Sequence, residues 1–493
     1  MTTTNDIRQA IIKALPIETS NFGHAPQLEH IYVPMAHLKA LRLDCALVVG
    51  GRGTGKSFWT AALDSSQLRG ALGKDVGELE RTEVRIGYSG APNIKLYPDP
   101  DTFKSLITEE VAPYDIWRAV TARWLRDITG EIVPAKDWKD TVAWVRNQPE
   151  KFARLAENAN ATMQQRGEYG LIVFDALDRL SSNWVEMDRI VRDLLRLLLW
   201  LKPFSCLHGK VFLREDQSGD RVTNFTDASK LVSTRADLAW APHDLHGLLW
   251  QMLCNAQEPH GSILREIYEE CVGVNPKVRD GKYFLSDEVK REGGQQRKLF
   301  EALAGPWMGP DRRRGVPYVW SVSHLADGKQ RTSPRSFLAA IRKAAEDSSR
   351  YTAHEFALHY ESIKRGVQEA SKIRVDELAE DYPWVNAFVK PLQGLSVPCE
   401  FAALEDRWRD AFPGGPLSLS QGGLPPPNAA RGWQGVCDDL VRLGILEIRT
   451  DRRINMPDLF RVAFGLGRRG GIKTVRLTKT GACCRQDVPP PGP

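Results

Sequence analysis

Cys45-Ala46-Leu47-Val48-Val49-Gly50-Gly51-Arg52-Gly53-Thr54-Gly55-Lys56-Ser57 is the stretch whose reading decides the fold. An apolar run suited to a buried strand passes directly into a loop of the form G-x-x-x-x-G-K-S, and Phe58 to Leu63 can start a helix. Strand, glycine loop and helix in that order make a phosphate-binding P-loop. Glycines at 50, 51, 53 and 55 let the loop, including the amides of Arg52 and Thr54, turn backbone N–H groups inward on a phosphate. Lys56 then places its ammonium on the β/γ oxygens, the Ser57 hydroxyl ligates Mg²⁺, and the N-terminal dipole of the helix faces the anion. The motif predicts ATP and Mg²⁺ as cofactors.

Hydrolysis needs more than a phosphate cradle: an acidic residue at the end of a neighbouring strand and a group that orients water. Leu171-Ile172-Val173-Phe174-Asp175 supplies four apolar residues ending in a carboxylate, so Asp175 is expected at Mg²⁺, directly or through water. A helix N-cap is its alternative role. The next residue, Ala176, cannot polarise water; Asp178 is the nearest substitute, either as base or as the ion-pair partner of Arg179. Slow turnover follows. The strand Lys210-Val211-Phe212-Leu213 ends at Arg214-Glu215-Asp216, where a γ-phosphate sensor would sit, or where a strand end is merely solvated. Arg335, in Ser333-Pro334-Arg335, opens a later helix and could reach the γ-phosphate in cis through its forked, permanently charged guanidinium. An ordinary surface arginine is the other reading, and Arg312-Arg313-Arg314 is a weaker candidate for the same role.

At 493 residues the chain should hold two to four domains, and 42% hydrophobic with 26% charged residues describes a folded protein. The apolar run Ile190 to Leu201 is short and broken by Arg192, Asp193 and Arg196, so no membrane span is expected. The N-terminus lacks the blocks of a secretory signal, and the eight cysteines are scattered without zinc or disulfide spacing; both point to a reducing cytoplasm. Vicinal Cys483-Cys484 reads as ordinary thiols or as a redox or metal handle. Along the chain the expected order is a lead-in (1–44) packing on the nucleotide core, with helices at Asp6 to Leu15 and Val33 to Leu43 and Asn21-Phe22-Gly23 between them. An α/β parallel-sheet core (45–242) follows, with strands at 46–49, 170–174 and 210–213, a fourth candidate at 84–87, and a helical insertion whose Trp117, Trp124, Trp138 and Trp144 read as core or packing residues, with base-stacking positions as the alternative. Then come a helical lid (243–350) and a helical region with a linker (351–430) broken by Phe412-Pro-Gly-Gly-Pro and Gly422-Gly-Leu-Pro-Pro-Pro-Asn.

The last segment (431–493) is basic. Residues 431–485 hold twelve Lys or Arg against five Asp or Glu, so the rest of the chain is slightly acidic although the whole carries +5. Trp433 to Leu443 reads as an amphipathic helix stopped by Gly444, and 445–448 and 452–456 read as strands around Thr450-Asp451, the order of a winged helix. Arg449, Arg452 and Arg453 would then meet phosphates of duplex DNA; protein contact or autoinhibition with solvated arginines is the other use of such a module.

On Val49 to Ser57, Phe174-Asp175-Ala176-Leu177-Asp178-Arg179-Leu180, the strand ending at Arg214, and Ser333-Pro334-Arg335, the chain resembles bacterial P-loop ATPases near the AAA+, STAND and origin-recognition groups. The likeness spans roughly residues 20–470, strongly at the first two motifs. It implies an ASCE-type core, a helical lid, a C-terminal winged helix, homo-oligomer formation and, in phage defence, an effector or operon partner protein under ATP control. A DNA-binding ATPase of origin-recognition or transposition-helper type, and a non-hydrolysing scaffold, are the alternatives. Ala176 departs from the acidic residue that relatives commonly carry there.

Overall fold

The computed structural model describes residues 2–472 except 16–25, 29–30, 182, 280, 291–293, 422–424 and 469–471. Asn21-Phe22-Gly23, Gly422-Gly423-Leu424 and the basic tail with Cys483-Cys484 lie outside the described residues.

Five parallel strands, β1 (Leu47–Val49), β2 (Thr82–Tyr88), β3 (Tyr169–Phe174), β4 (Leu207–Leu213) and β5 (Ala236–Asp237), form one sheet in the order β2-β3-β4-β1-β5. The near-continuous apolar sequences of β1 and β3 are what a sheet covered on both faces requires. Alternation divides them. Val48, Leu171, Val173 and Phe212 pack with Trp59, Leu63 and Leu68 under helices Met35–Leu41, Lys56–Asp64 and Ser66–Leu72. On the other face Val49, Ile172, Phe174 and Val211 meet Trp117, Trp124 and Leu194 from helices Pro113–Thr129 and Trp184–Leu201. Trp117, Trp124 and Trp138 of the insertion are buried, Trp144 partly so, as core residues. β4 lies between β1 and β3, so the P-loop and Asp175 leave the same sheet edge with one strand between them. That is a P-loop α/β fold of the ASCE type. β5, two residues long, has too little sequence to announce itself by periodicity.

A third core joins the lid helices, including Pro242–Cys254, His260–Val272 and Pro334–Ser348, to helix Tyr360–Asp381 and to the C-terminal residues up to Ile472. The lead-in does not pack on the nucleotide core as a unit. Its first helix, Thr4–Ala14, buries Ala10 and Ile11 in the lid cluster, and its Arg8 guanidinium donates to the carbonyls of Ala357 (2.9 Å), Tyr351 and Phe356 (both 3.3 Å). Met35–Leu41 stays with the sheet, with Ile31 and Leu43 in the same cluster, tied by buried Lys210, whose ammonium donates to Ala40 O (2.7 Å) and Arg42 O (2.9 Å). A hairpin, β6 (Lys277–Arg279) and β7 (Lys282–Phe284), lies within the lid sequence.

In the C-terminal module helix Gly432–Arg442 leads into an antiparallel hairpin, β8 (Glu447–Ile448) and β9 (Ile454–Asn455), with Cys399 bridging to Ile454 as a third strand segment. Helix, hairpin and flanking strand compose a winged helix. No helix among the described residues is long and apolar enough to cross a membrane.

Candidate nucleotide site

Gly53 (φ +76°) and Gly55 (φ +107°) put the loop into left-handed backbone that side chains resist, and a Cβ on Gly53 would lie 2.5 Å from the Ser333 hydroxyl. The loop is therefore both coiled and closely approached by the lid. Lys56 opens helix Lys56–Asp64, and its ammonium turns back to donate to Gly50 O (3.1 Å) and Gly51 O (2.8 Å). Burial pushes its pKa down to about 8, Arg214 adding to the effect while Asp175 opposes it.

Asp175 is buried at the end of β3, and its carboxylate accepts from the Ser57 hydroxyl and the Ala176 N–H. Burial raises its pKa, with Ser57 and Lys56 working against the rise. Its side chain caps no helix, which disposes of the N-cap alternative. Ser57 and Asp175 thus offer two adjacent oxygen ligands, the small set that suits a largely hydrated Mg²⁺ with substrate phosphates. Ala176 sits at φ +58° and turns the chain so that Asp178 faces Arg214 (3.5 Å). Arg179 is engaged elsewhere, donating to Gly90 O (2.8 Å), so the Asp178–Arg179 pair is not formed.

Arg214 is no solvated strand end. It is largely buried, ion-paired to Asp381 (3.0 Å) and Asp216 (3.4 Å), and donates to the Tyr382 hydroxyl (2.7 Å). Burial works to lower its pKa, but Asp216, Tyr382 and Asp381 outweigh that and raise it. Arg335, second residue of helix Pro334–Ser348, reaches Glu377 at 2.5 Å, while the Ser333 hydroxyl donates to Gly53 O (3.2 Å). The P-loop side chain Arg52 turns to Asp381 (2.6 Å), Glu380 (2.7 Å) and Glu377 (3.7 Å).

Lys56, Ser57, Asp175, Asp178, Arg214 and Arg335 line one cavity of about 1400 Å³. Arg312-Arg313-Arg314, an exposed 3₁₀ turn with Arg313 on Asp311, is not among its lining residues. Neither are Arg449, Arg452 and Arg453 of the wing.

Several lining residues escaped the sequence. Trp240 donates its indole N–H to Thr54 O (2.9 Å), fixing the loop from outside. Trp59 donates to His37 Nδ1 (3.0 Å), which leaves the His37 Nε2–H for Ala239 O (3.1 Å). Burial lowers the His37 pKa to about 4, so this ring is a neutral spacer. No motif carries these residues, and β5, the strand that leads to Trp240, is too short to be read from the sequence.

No protein-family model matches the chain, and no curated protein is similar to it. Among solved structures it is similar to the Aeropyrum pernix ORC2 protein in ADPNP–ADP complexes, at 14% identity over 84% of each chain and TM-score 0.37. It is also similar to the Aeropyrum pernix ORC1 protein in complex with DNA, at 14% identity over 89% of this chain and 93% of that one, TM-score 0.34. Overlaps of this order assign neither family nor activity.

Proposed function

We propose that the chain is an ATP-binding molecular switch with slow ATP hydrolysis. The observation that carries it is the convergence of Lys56, Ser57, Asp175, Arg214 and Arg335, from four separated segments, on one cavity at the sheet edge. There Lys56 would bind phosphate oxygens, Ser57 and Asp175 would hold Mg²⁺, and Arg214 and Arg335 would answer charge on the terminal phosphate. Magnesium supplies charge neutralisation when bound. Asp178 is the carboxylate left to orient water, because Ala176 has none.

The test is calorimetry with Mg-ATP on the full chain and on Lys56→Ala. Wild type should bind, and the folded variant should lose most of the affinity; equal affinity in both would remove the P-loop from the proposal.

A DNA-binding ATPase is the second reading, favoured by Arg449 and Arg452, which stand exposed on the hairpin turn between β8 and β9. Action with a partner protein in antiphage defence, and homo-oligomer formation, follow from the sequence resemblance; sedimentation with and without Mg-ATP tests the assembly.

A further inference from the structure

We infer that the C-terminal end of helix Tyr360–Asp381 is an intramolecular carboxylate latch on the phosphate-reading arginines, released by a nucleoside triphosphate and not by a diphosphate. The inference rests on the nucleotide reading above and adds its regulation.

Glu377, Glu380 and Asp381 gather arginines from three separate elements. Arg52 comes from the P-loop, Arg335 from the lid helix and Arg214 from the end of β4, at 2.5–3.7 Å. Arg374 joins from the same helix, 3.3 Å from Glu377. Glu380 and Asp381 line the same cavity as Lys56 and Asp175, so these carboxylates stand where anionic ligand atoms must pass.

Two electrostatic arguments make the arrangement a competitor. The C-terminus of a helix carries partial negative charge, so three acids in the last five residues oppose the dipole and rely on the arginines for compensation. The arginines are also already more than neutralised: four of them, Arg52, Arg214, Arg335 and Arg374, face five carboxylates, Asp178, Asp216, Glu377, Glu380 and Asp381. A magnesium triphosphate remains an anion. Bringing it to arginines already neutralised, in a partly buried site, leaves carboxylates unpaired unless the helix end withdraws. A diphosphate lacks the terminal group that Arg214 and Arg335 would take, so it leaves the latch closed.

Withdrawal would not stay local. In the middle of the same helix the Ser371 hydroxyl donates to Leu459 O (2.6 Å) and accepts from Ala463 N–H (3.1 Å), fastening it to helix Asp458–Phe464 of the C-terminal module. Beyond the helix, Tyr382 hydrogen-bonds Asp216 and Arg214 and stacks on Trp184 with ring centroids 6.2 Å apart. The helix is thus a lever between the nucleotide cavity and the winged helix.

The experiment compares the full chain, the double variant Glu377→Gln/Asp381→Asn, and Glu369→Gln on the same helix, whose carboxylate pairs with Lys372 (3.4 Å). Mg-ATPγS and Mg-ADP are titrated by calorimetry, and amide exchange is followed at residues 371–382 and 458–464. The double variant should bind ATPγS at least about fivefold tighter, the low end of allosteric coupling, with ADP affinity and Glu369→Gln near wild type. Wild-type exchange should rise in both segments with ATPγS alone. Unchanged or weaker ATPγS binding by a double variant that melts like wild type overturns the latch, as does equal tightening for ADP. Should that variant not fold, Glu380→Gln and the wild-type exchange decide, and no ATPγS-dependent change at 371–382 overturns it. Wild-type binding that Lys56→Ala abolishes, with the double variant unchanged, sinks the latch and spares the nucleotide reading; no wild-type binding sinks both.

Discussion

Asp178 shows how one missing carboxylate rearranges a site. With alanine at 176 in left-handed backbone, the next acid in sequence is carried round to Arg214 at 3.5 Å, half exposed at the cavity wall. A general base contributes about 10²- to 10⁴-fold, and a poorly placed one less. Asp178→Asn is therefore expected to lower phosphate release about 10- to 100-fold while leaving nucleotide affinity within about threefold. Full turnover in that variant would restrict Asp178 to its ion pair.

At the scale of elements, helix Tyr360–Asp381 lies against Pro334–Ser348 with no room to spare. A Cβ on Gly366 would stand 2.2 Å from the carbonyl oxygen of Ala340, and backbone cannot rotate aside as a side chain can. Gly366→Ala should gain up to about 1 kcal/mol of helix propensity yet lose stability overall, by about 1–3 kcal/mol, as overpacking separates the helices. Urea unfolding measures it, and a stabilised variant would contradict the close crossing. The wing makes its own prediction. Arg449 and Arg452 are exposed, while Arg453 is held by Asp451 at 2.7 Å, so the triple alanine variant should flatten the salt dependence of duplex binding by about 0.9 per lost phosphate contact. Absence of DNA binding by the intact chain at low salt would leave the wing to protein contact.

Across the whole molecule, neutral histidines are built into both halves. Burial takes His37, beneath the P-loop helix, from 6.5 to about 4, and His246, in the lid core, to about 3. Both folded values lie below the unfolded one, so the unfolded chain binds more protons between pH 6.5 and 4. Stability should be complete above about pH 6.5 and fall as pH drops toward 4, by up to about 1.4 kcal/mol per pH unit for each histidine. Urea midpoints at pH 7.5 and 5 test the sign, and His37→Gln should shallow the slope; equal midpoints would show that these rings accept protons without cost.

The sequence by itself determined the P-loop, the acidic strand end at Asp175, the strands β1, β3 and β4, with β2 only a candidate, and the order of the winged helix. Each is a local pattern, written in glycine spacing or in apolar runs that neighbouring residues enforce. Its segment boundaries for strands fell within a few residues, since strand ends are set by pairing, as for β4, which starts at Leu207 against Gly170. Only the tertiary structure decided which lone charges meet. Arg335 and Glu377 are separated by 42 residues, Arg214 and Asp381 by 167, and Arg52 and Glu380 by 328. No periodicity links such positions; their meeting follows from two helices crossing at Gly366 and from the lid core that places both over the sheet edge. The same reason hid Trp240 and His37, whose neutral hydrogen bonds leave no charge pattern, and sent the first helix to the lid, where Arg8 found three carbonyls to satisfy.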